Sequence, residues 1–317
     1  MKDTTSYTTE EIAHILKVSK LTVYDLIKKG HLPSYRVGRQ IRVDAHDLEA
    51  YKTQAKSGGT VAPSAAQPMT AHVENPTLAP TSPRQIIISG QDISLDLLAN
   101  YIEKHSTAYR PLRSYTGSLN SLVAMYQGEA DVVSTHLYDG DTNAYNLPYI
   151  RRMLVSHPYI VLHFLTRWEG FYVAKGNPYN IQTWADLTKP GIRMVNREKG
   201  SGVRVLIDEN LRLAGIASRD IKGYAIEESS HIGVASKVVS GQADVGVGIE
   251  KTARLVDVDF IPIIQEQYDI VVMKTPRNEA IIQLLQDILQ SEAFQKEVEA
   301  IGGYDLSQIG QVMYETF

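Results

Sequence analysis

The sequence predicts an α/β protein built as two folded parts joined by a tether, and three observations carry that reading. Residues 84–317 alternate short apolar runs with amphipathic helical stretches, the pattern of sheets covered by helices. Residues 57–83 hold five of the thirteen prolines, almost no charge and no apolar period. Such a composition cannot bury enough surface to offset the entropy of ordering it. The third observation is charge: residues 1–60 carry ten Lys and Arg against seven Asp and Glu, a net of +3 in a chain of formal charge −4. A basic head, 1–56, therefore sits before an acidic body, 84–317, with 57–83 as a Pro-rich linker.

In the head, Thr8-Thr9-Glu10-Glu11 has the form of a capping box, in which a Thr hydroxyl accepts from a first-turn amide while Glu11 reaches back. Ile12, Ile15 and Leu16 then recur at helical spacing. Val18 is expected to end that helix, Ser19 to cap a second with Val23, Leu26 and Ile27 on one stripe, and Gly30 to stop it. Two short helices joined by a turn of about three or four residues make a helix-turn-helix. From Tyr35 to Val43 the period becomes two around Gly38-Arg39, a hairpin expected to leave Arg36, Arg39 and Arg42 to solvent. A final helix from Asp44 to about Lys56 returns Leu48 and Tyr51 to the core. A helix fits the major groove and a β arm grips phosphates beside it. Ser19, Lys20, Thr22, Tyr24 and Lys28, with Arg36, Arg39 and Arg42, are the expected contacts to double-stranded DNA.

In the body, Gln85–Ser89, Ala130–Val133, Arg193–Asn196 and Val245–Ile249 read as strands, and Asp92–Lys104 and Leu119–Gln127 as helices. Small polar loops follow these strands: Ser89-Gly90-Gln91-Asp92, Thr116-Gly117-Ser118, Ser134-Thr135-His136 and Gly200-Ser201-Gly202-Val203-Arg204. Hydroxyls and free amides at helix starts form an anion cradle, and ligands of open α/β sheets lodge where strand ends meet such loops. Arg204 would add a fixed charged fork, unless it pairs with Asp208. A carboxylate facing a dianion is repulsive. Asp92 is therefore expected to cap its helix, or else to face a ligand that carries a cationic group. Tyrosines such as Tyr115 and Tyr138 would suit such an organic ligand by stacking or cation–π contact.

Enzyme chemistry is not expected. The chain holds no cysteine, no G-x-S-x-G elbow and no His/Asp/Glu cluster at metal-ligand spacing, and His136, His163 and His231 are scattered. No metal and no cofactor is expected. No apolar run approaches the ~20 residues of a membrane helix, and no signal-peptide pattern opens the sequence, so a cytoplasmic protein without membrane attachment is expected.

Residues 7–51, with K-G-x-L-P-x-Y-R-V-G-R-x-I-R, resemble the excisionase/MerR-type winged helix-turn-helix. The body resembles a type 2 periplasmic-binding-protein domain, most of all regulator-fused members of molybdate/tungstate-type ancestry. The likeness rests on G-E-A-D-V-V (Gly128–Val133), Y-V-A-K-G-N-P (Tyr172–Pro178), W-A-D-L-x-x-P-G-I-R-M-V-N-R (Trp184–Arg197) and S-G-Q-A-D-V-G-V-G-I (Ser240–Ile249). It implies two lobes, 84–173 with 269–317 and 174–268, and a ligand in the cleft between them. Ser89, Gln91, Asp92, Thr116, Ser118 and Thr135 would face it from one side, and Ser201, Gly202, Arg204 and Tyr268 from the other. An oxyanion such as molybdate or tungstate is the first expectation, and a zwitterionic amino acid, sulfonate or phosphonate the alternative. The whole implies a transcription regulator, a homodimer or higher homo-oligomer, that binds a DNA operator under the control of a small effector.

Overall fold

The computed structural model describes residues 6–28, 32–37, 40–56 and 83–316. They divide into two compact units, 1–76 and 77–317, each taken by itself below.

The head contains β1 (Ser6–Thr8), α1 (Thr9–Leu16), α2 (Lys20–Lys28), β2 (Tyr35–Val37), β3 (Gln40–Asp44) and α3 (Ala45–Lys56). The capping box forms: the Glu11 amide donates to Thr8 Oγ1 at 3.3 Å, and the Thr8 amide to Glu11 Oε2 at 2.7 Å. Helix α1 stops at Leu16, before the expected Val18. Lys17 turns left-handed (φ 54°), and the Val18 amide folds back onto the Ala13 carbonyl at 3.0 Å. Ser19 caps α2, its hydroxyl accepting from the Thr22 amide at 3.1 Å. Strand β1, too short to show a period in the sequence, pairs antiparallel with β3 and completes a sheet in the order β1-β3-β2. Ile12, Val23, Leu32, Val43 and Leu48 are fully buried together, with Tyr51 packed against them. Gly30, Gly38 and Arg39, expected as helix stop and hairpin turn, lie outside the described residues.

In the body, β4 (Arg84–Ser89), α4 (Ser94–His105), β5 (Tyr109–Ser114), α5 (Ser118–Tyr126) and β6 (Val132–Thr135) alternate as anticipated, and β4 is parallel to both β5 and β6. A short hairpin, β7 (Tyr138–Asp139) and β8 (Ala144–Tyr145), and α6 (Leu147–Met153) lead into β9 (Tyr159–Val173). Beyond it come β10 (Asn196–Arg197), α7 (Gly202–Leu213), β11 (Glu227–Glu228), α8 (His231–Val239), β12 (Val245–Ile249), α9 (Glu250–Val256) and β13 (Asp259–Met273). Helices α10 (Glu279–Gln290) and α11 (Glu292–Ile301) and strand β14 (Val312–Glu315) complete the unit.

The sheet is mixed rather than parallel. Strands β9 and β13, 15 residues each, run antiparallel along their whole length, from Val173↔Asp259 to Tyr159↔Met273. Strand β6 flanks β13 at Asp269–Val272, and β12 flanks β9 at Glu169–Val173, so opposite ends of the long pair serve two lobes. Each lobe has its own core. Ile86, Leu98, Ile102, Phe164, Ile270 and Leu285 fill one, and Phe171, Ile192, Val203, Ile207 and Val245 the other. Of the strand expected at 193–196, only Asn196 falls in a strand, opening β10 with Arg197, while Met194 makes an isolated bridge to Val245.

Candidate functional site

Midway along the long strand pair the apolar run breaks, and the site is built on that break. Arg167 of β9 lies opposite Glu266 of β13. Its Nε donates to Glu266 Oε1 at 2.6 Å, and its Nη1 pairs with Asp92, while the guanidinium lies 4.6 Å over the Tyr268 ring. All four residues are buried. A buried charge is tolerated only with a partner. Burial alone would lower the Arg167 pKa, but Glu266 and Asp92 outweigh it and hold the group well above its ordinary value. Burial would likewise raise Glu266. Arg167 and His136, whose Nδ1 lies 2.7 Å from Glu266 Oε2, instead keep that carboxylate ionised. Glu169, buried with one oxygen unpartnered, goes the other way. Burial and the adjacent Glu266 charge push its carboxyl well above the usual range, so it keeps its proton.

Above this network opens a cavity of about 440 Å³, walled by Gln91, Asp92, His136 and Tyr268 from one lobe and Arg197 and Lys251 from the other. Tyr304 closes one side, donating to both Asp92 oxygens at 3.0 and 3.1 Å. Burial pushes the Tyr268 hydroxyl up to about 12, so it stays protonated and bonded to Ser134 at 2.7 Å. His231, at the start of α8, offers a buried Nδ1 with no partner among the described residues, and burial pushes its pKa well below the ordinary value. The imidazole is therefore neutral. Arg197, almost fully buried, donates across the cleft to Gln91 Oε1 at 2.8 Å and to its own neighbour Glu198 at 2.8 Å, while Gln91 Nε2 donates to Glu198 at 2.9 Å.

Of the residues expected around the ligand, Gln91, Asp92 and Tyr268 line this cavity, Tyr268 from the lobe of Gln91 and not from the opposite one as expected, since its ring packs into that lobe's core. Asp92 does not take the N-cap of α4, which is Ile93; it accepts from the Ser94 amide at 2.8 Å and carries the Arg167 pair. The others stand elsewhere. Ser89 is bonded to Ser121 at 2.9 Å, Thr116 to Ser114 at 3.0 Å, and Ser118 accepts from the His136 amide at 3.2 Å. Thr135 is buried, its hydroxyl without a partner among the described residues. Ser201 caps α7, and Gly202 packs so tightly that an added Cβ would sit 2.5 Å from the His136 ring. The two glycine loops meet instead of cradling a ligand, the Leu119 amide donating to the Gly200 carbonyl at 3.0 Å. Arg204 is the main correction. It faces Asp208 at 3.1 Å, Glu227 at 2.9 Å and the Tyr224 ring at 4.6 Å, and takes no part in the cavity wall.

Sequence reasoning missed Arg167, Glu266, Arg197, Lys251 and Tyr304. A signal was present for one of them: a charge inside a largely apolar strand run, as Arg167 in Phe164-Leu165-Thr166-Arg167-Trp168, asks for a buried partner. Residues at metal-ligand distance were also invisible, because His136, Glu169 and Glu266 come from three segments. Each brings one ligand atom within 4.8 Å of the others. Within that trio Glu266 accepts from Arg167 Nε at 2.6 Å and lies 2.7 Å from His136 Nδ1.

In the head, Thr22 and Tyr24 are exposed on α2. Ser19 is turned onto Thr22 at 2.8 Å, and Lys20 pairs with Glu10. Arg42 is half-buried, contrary to the expectation of solvent, because Nη1 donates to Ser6 of β1 at 3.3 Å. The side chains of Lys28 and Arg36, and all of Arg39, lie outside the described residues. Among those residues no helix is long and apolar enough to cross a membrane.

Comparison with known proteins agrees with both units. Residues 99–290 match the PBP superfamily domain and residues 6–56 a helix-turn-helix domain. Over 316 residues the chain is 49% identical to the Bacillus subtilis protein YvgK, covering 100% of each. A 99-residue stretch is 34% identical to the molybdate-binding protein ModA of Mycobacterium bovis, spanning 30% of this chain and 34% of that one. The solved structure of EhuB in complex with hydroxyectoine superposes with a TM-score of 0.51 at 14% identity, covering 71% of this chain and 92% of that one, a likeness of fold.

Proposed function

Since the chain belongs to the PBP superfamily and joins that domain to a helix-turn-helix, we propose that it is a cytoplasmic transcription regulator whose body senses a small solute. As a DNA-binding protein with a ligand-binding domain it has the two parts such a device needs. The observation that carries the reading is the 440 Å³ cavity, whose walls come from both lobes at the passage of the two long strands. That volume lies in the range of roughly 300–1,000 Å³ found for organic ligands. A solute touching Gln91 and Tyr268 on one side and Arg197 and Lys251 on the other favours one lobe arrangement over another, and the head, paired with that of a second protomer, reads the change at an operator. Solute and DNA then affect each other's affinity by the same factor.

A second reading, an inorganic oxyanion as effector, draws on the local similarity to ModA. Both are tested by melting the full chain against molybdate, tungstate, amino acids, sulfonates and carboxylates, then measuring duplex affinity with each stabilising solute. A solute that raises the Tm is expected to shift DNA affinity severalfold. A stabilising solute that leaves duplex binding untouched refutes the sensor.

A further inference from the structure

Three cations reach the cavity, and two are already matched. Arg167 has Asp92 and Glu266, and Arg197 has Glu198. Lys251 has no carboxylate at ion-pair distance among the described residues; its ammonium lies 5.1 Å over the Tyr304 ring, and burial lowers its pKa. The cavity offers little to a ligand cation. The Asp92 oxygens are taken up by Ser94, Tyr304 and Arg167. Each of the three tyrosine rings at the cavity carries a protein cation: Arg113 lies 4.9 Å over Tyr115, Arg167 over Tyr268 and Lys251 over Tyr304.

The mouth tells the rest. Ile93 before α4, Tyr115 after β5, Ile232 on α8 and Leu255 on α9 are 57%, 65%, 52% and 72% exposed, and all four face the same opening. Large apolar side chains left in water and gathered from four segments around one mouth mark a surface that a ligand covers. Ile93, Ile232 and Leu255 have no side-chain donor and the Tyr115 hydroxyl is committed to Asp96 at 3.0 Å, so the mouth cannot replace the hydration of an inorganic dianion.

Granting the solute-sensing reading above, we infer that the solute is a small organic carboxylate without a cationic group, its carboxylate on Lys251 and its hydrocarbon part among Ile93, Tyr115, Ile232 and Leu255. This names the ligand class for that same cavity and replaces both the oxyanion and the zwitterion.

The test uses the full chain and four probes: hexanoate, benzoate, phenylalanine and molybdate. Hexanoate or benzoate is expected to raise the Tm in proportion to log concentration, and phenylalanine and molybdate are not. Lys251→Met should weaken the carboxylate by about 30-fold or more, as truncation of one member of a desolvated charge pair does. Lys251→Arg should recover most of that loss, and Leu255→Ser should weaken it without touching the ammonium. Unliganded Tm values near wild type show that the variants fold. Stabilisation by molybdate or phenylalanine alone, or carboxylate binding unmoved by Lys251→Met, overturns the inference and leaves the sensor standing. Failure of both carboxylates overturns it too, and failure of all four counts also against the sensor.

Discussion

At the residue scale, the molecule turns on one guanidinium and the two acids that hold it. Removing a partner from a buried ion pair strands the other charge, at a cost of about 3–5 kcal/mol. Glu266→Gln should therefore destabilise the body by that amount in urea titration, because Arg167 loses the facing charge and the amide keeps a single acceptor oxygen where Arg167 and His136 each had one. Glu169→Gln should behave in the opposite way, since the native side chain already carries its proton. A carboxyl raised above its ordinary 4.5 in the fold binds a proton that the unfolded chain has released. Its contribution is complete below that pH and declines as pH climbs toward the folded value. The amide is predicted to match or exceed wild-type stability at pH 7 and to flatten this decline. A Glu169→Gln protein that unfolds as readily as Glu266→Gln would show that the proton sits on the other acid.

At the element scale, helix caps and loop contacts decide what the sequence could and could not reveal. Thr8→Ala should cost the head roughly 1 kcal/mol, the usual value of a lost cap, measured by calorimetry on the whole chain. That cap was legible because Thr8 and Glu11 are three residues apart. So were β4, α4, α5 and β12, whose apolar periods declare themselves locally. The meeting of the Gly117 and Gly200 loops was not, since it joins segments more than eighty positions apart. Both loops look like anion cradles when read singly; folded, the Gly200 carbonyl of one takes up the Leu119 amide of the other. Arg204 shows the same limit. A charge beside a glycine loop reads as a ligand fork, while Asp208 one turn later and Glu227 farther on claim it first. Gly117 has φ −66°, which alanine accepts, yet an added Cβ would lie 2.7 Å from the Gly200 carbonyl oxygen. Gly117→Ala should therefore prise the lobes apart, costing about 1–3 kcal/mol and enlarging the radius of gyration in solution scattering. An unchanged radius would mean that the loops yield without moving the lobes.

At the scale of the whole molecule, charge is divided between the two units, and the division makes duplex binding depend on salt. Each phosphate contact released flattens the log–log salt slope by about 1. Arg39→Ala is predicted to do so while weakening binding to every sequence alike, in anisotropy titrations at several salt concentrations. An unaltered slope would remove Arg39 from the phosphate contacts. The two 15-residue strands carry one further implication. One half of the clamshell is not a continuous piece of chain, for it is made from the segments before and after the other half, which is inserted between them on the same two strands. Denaturant should thus melt both halves in a single sigmoidal step, and severing the peptide between them ought to yield two fragments that are soluble only when expressed together.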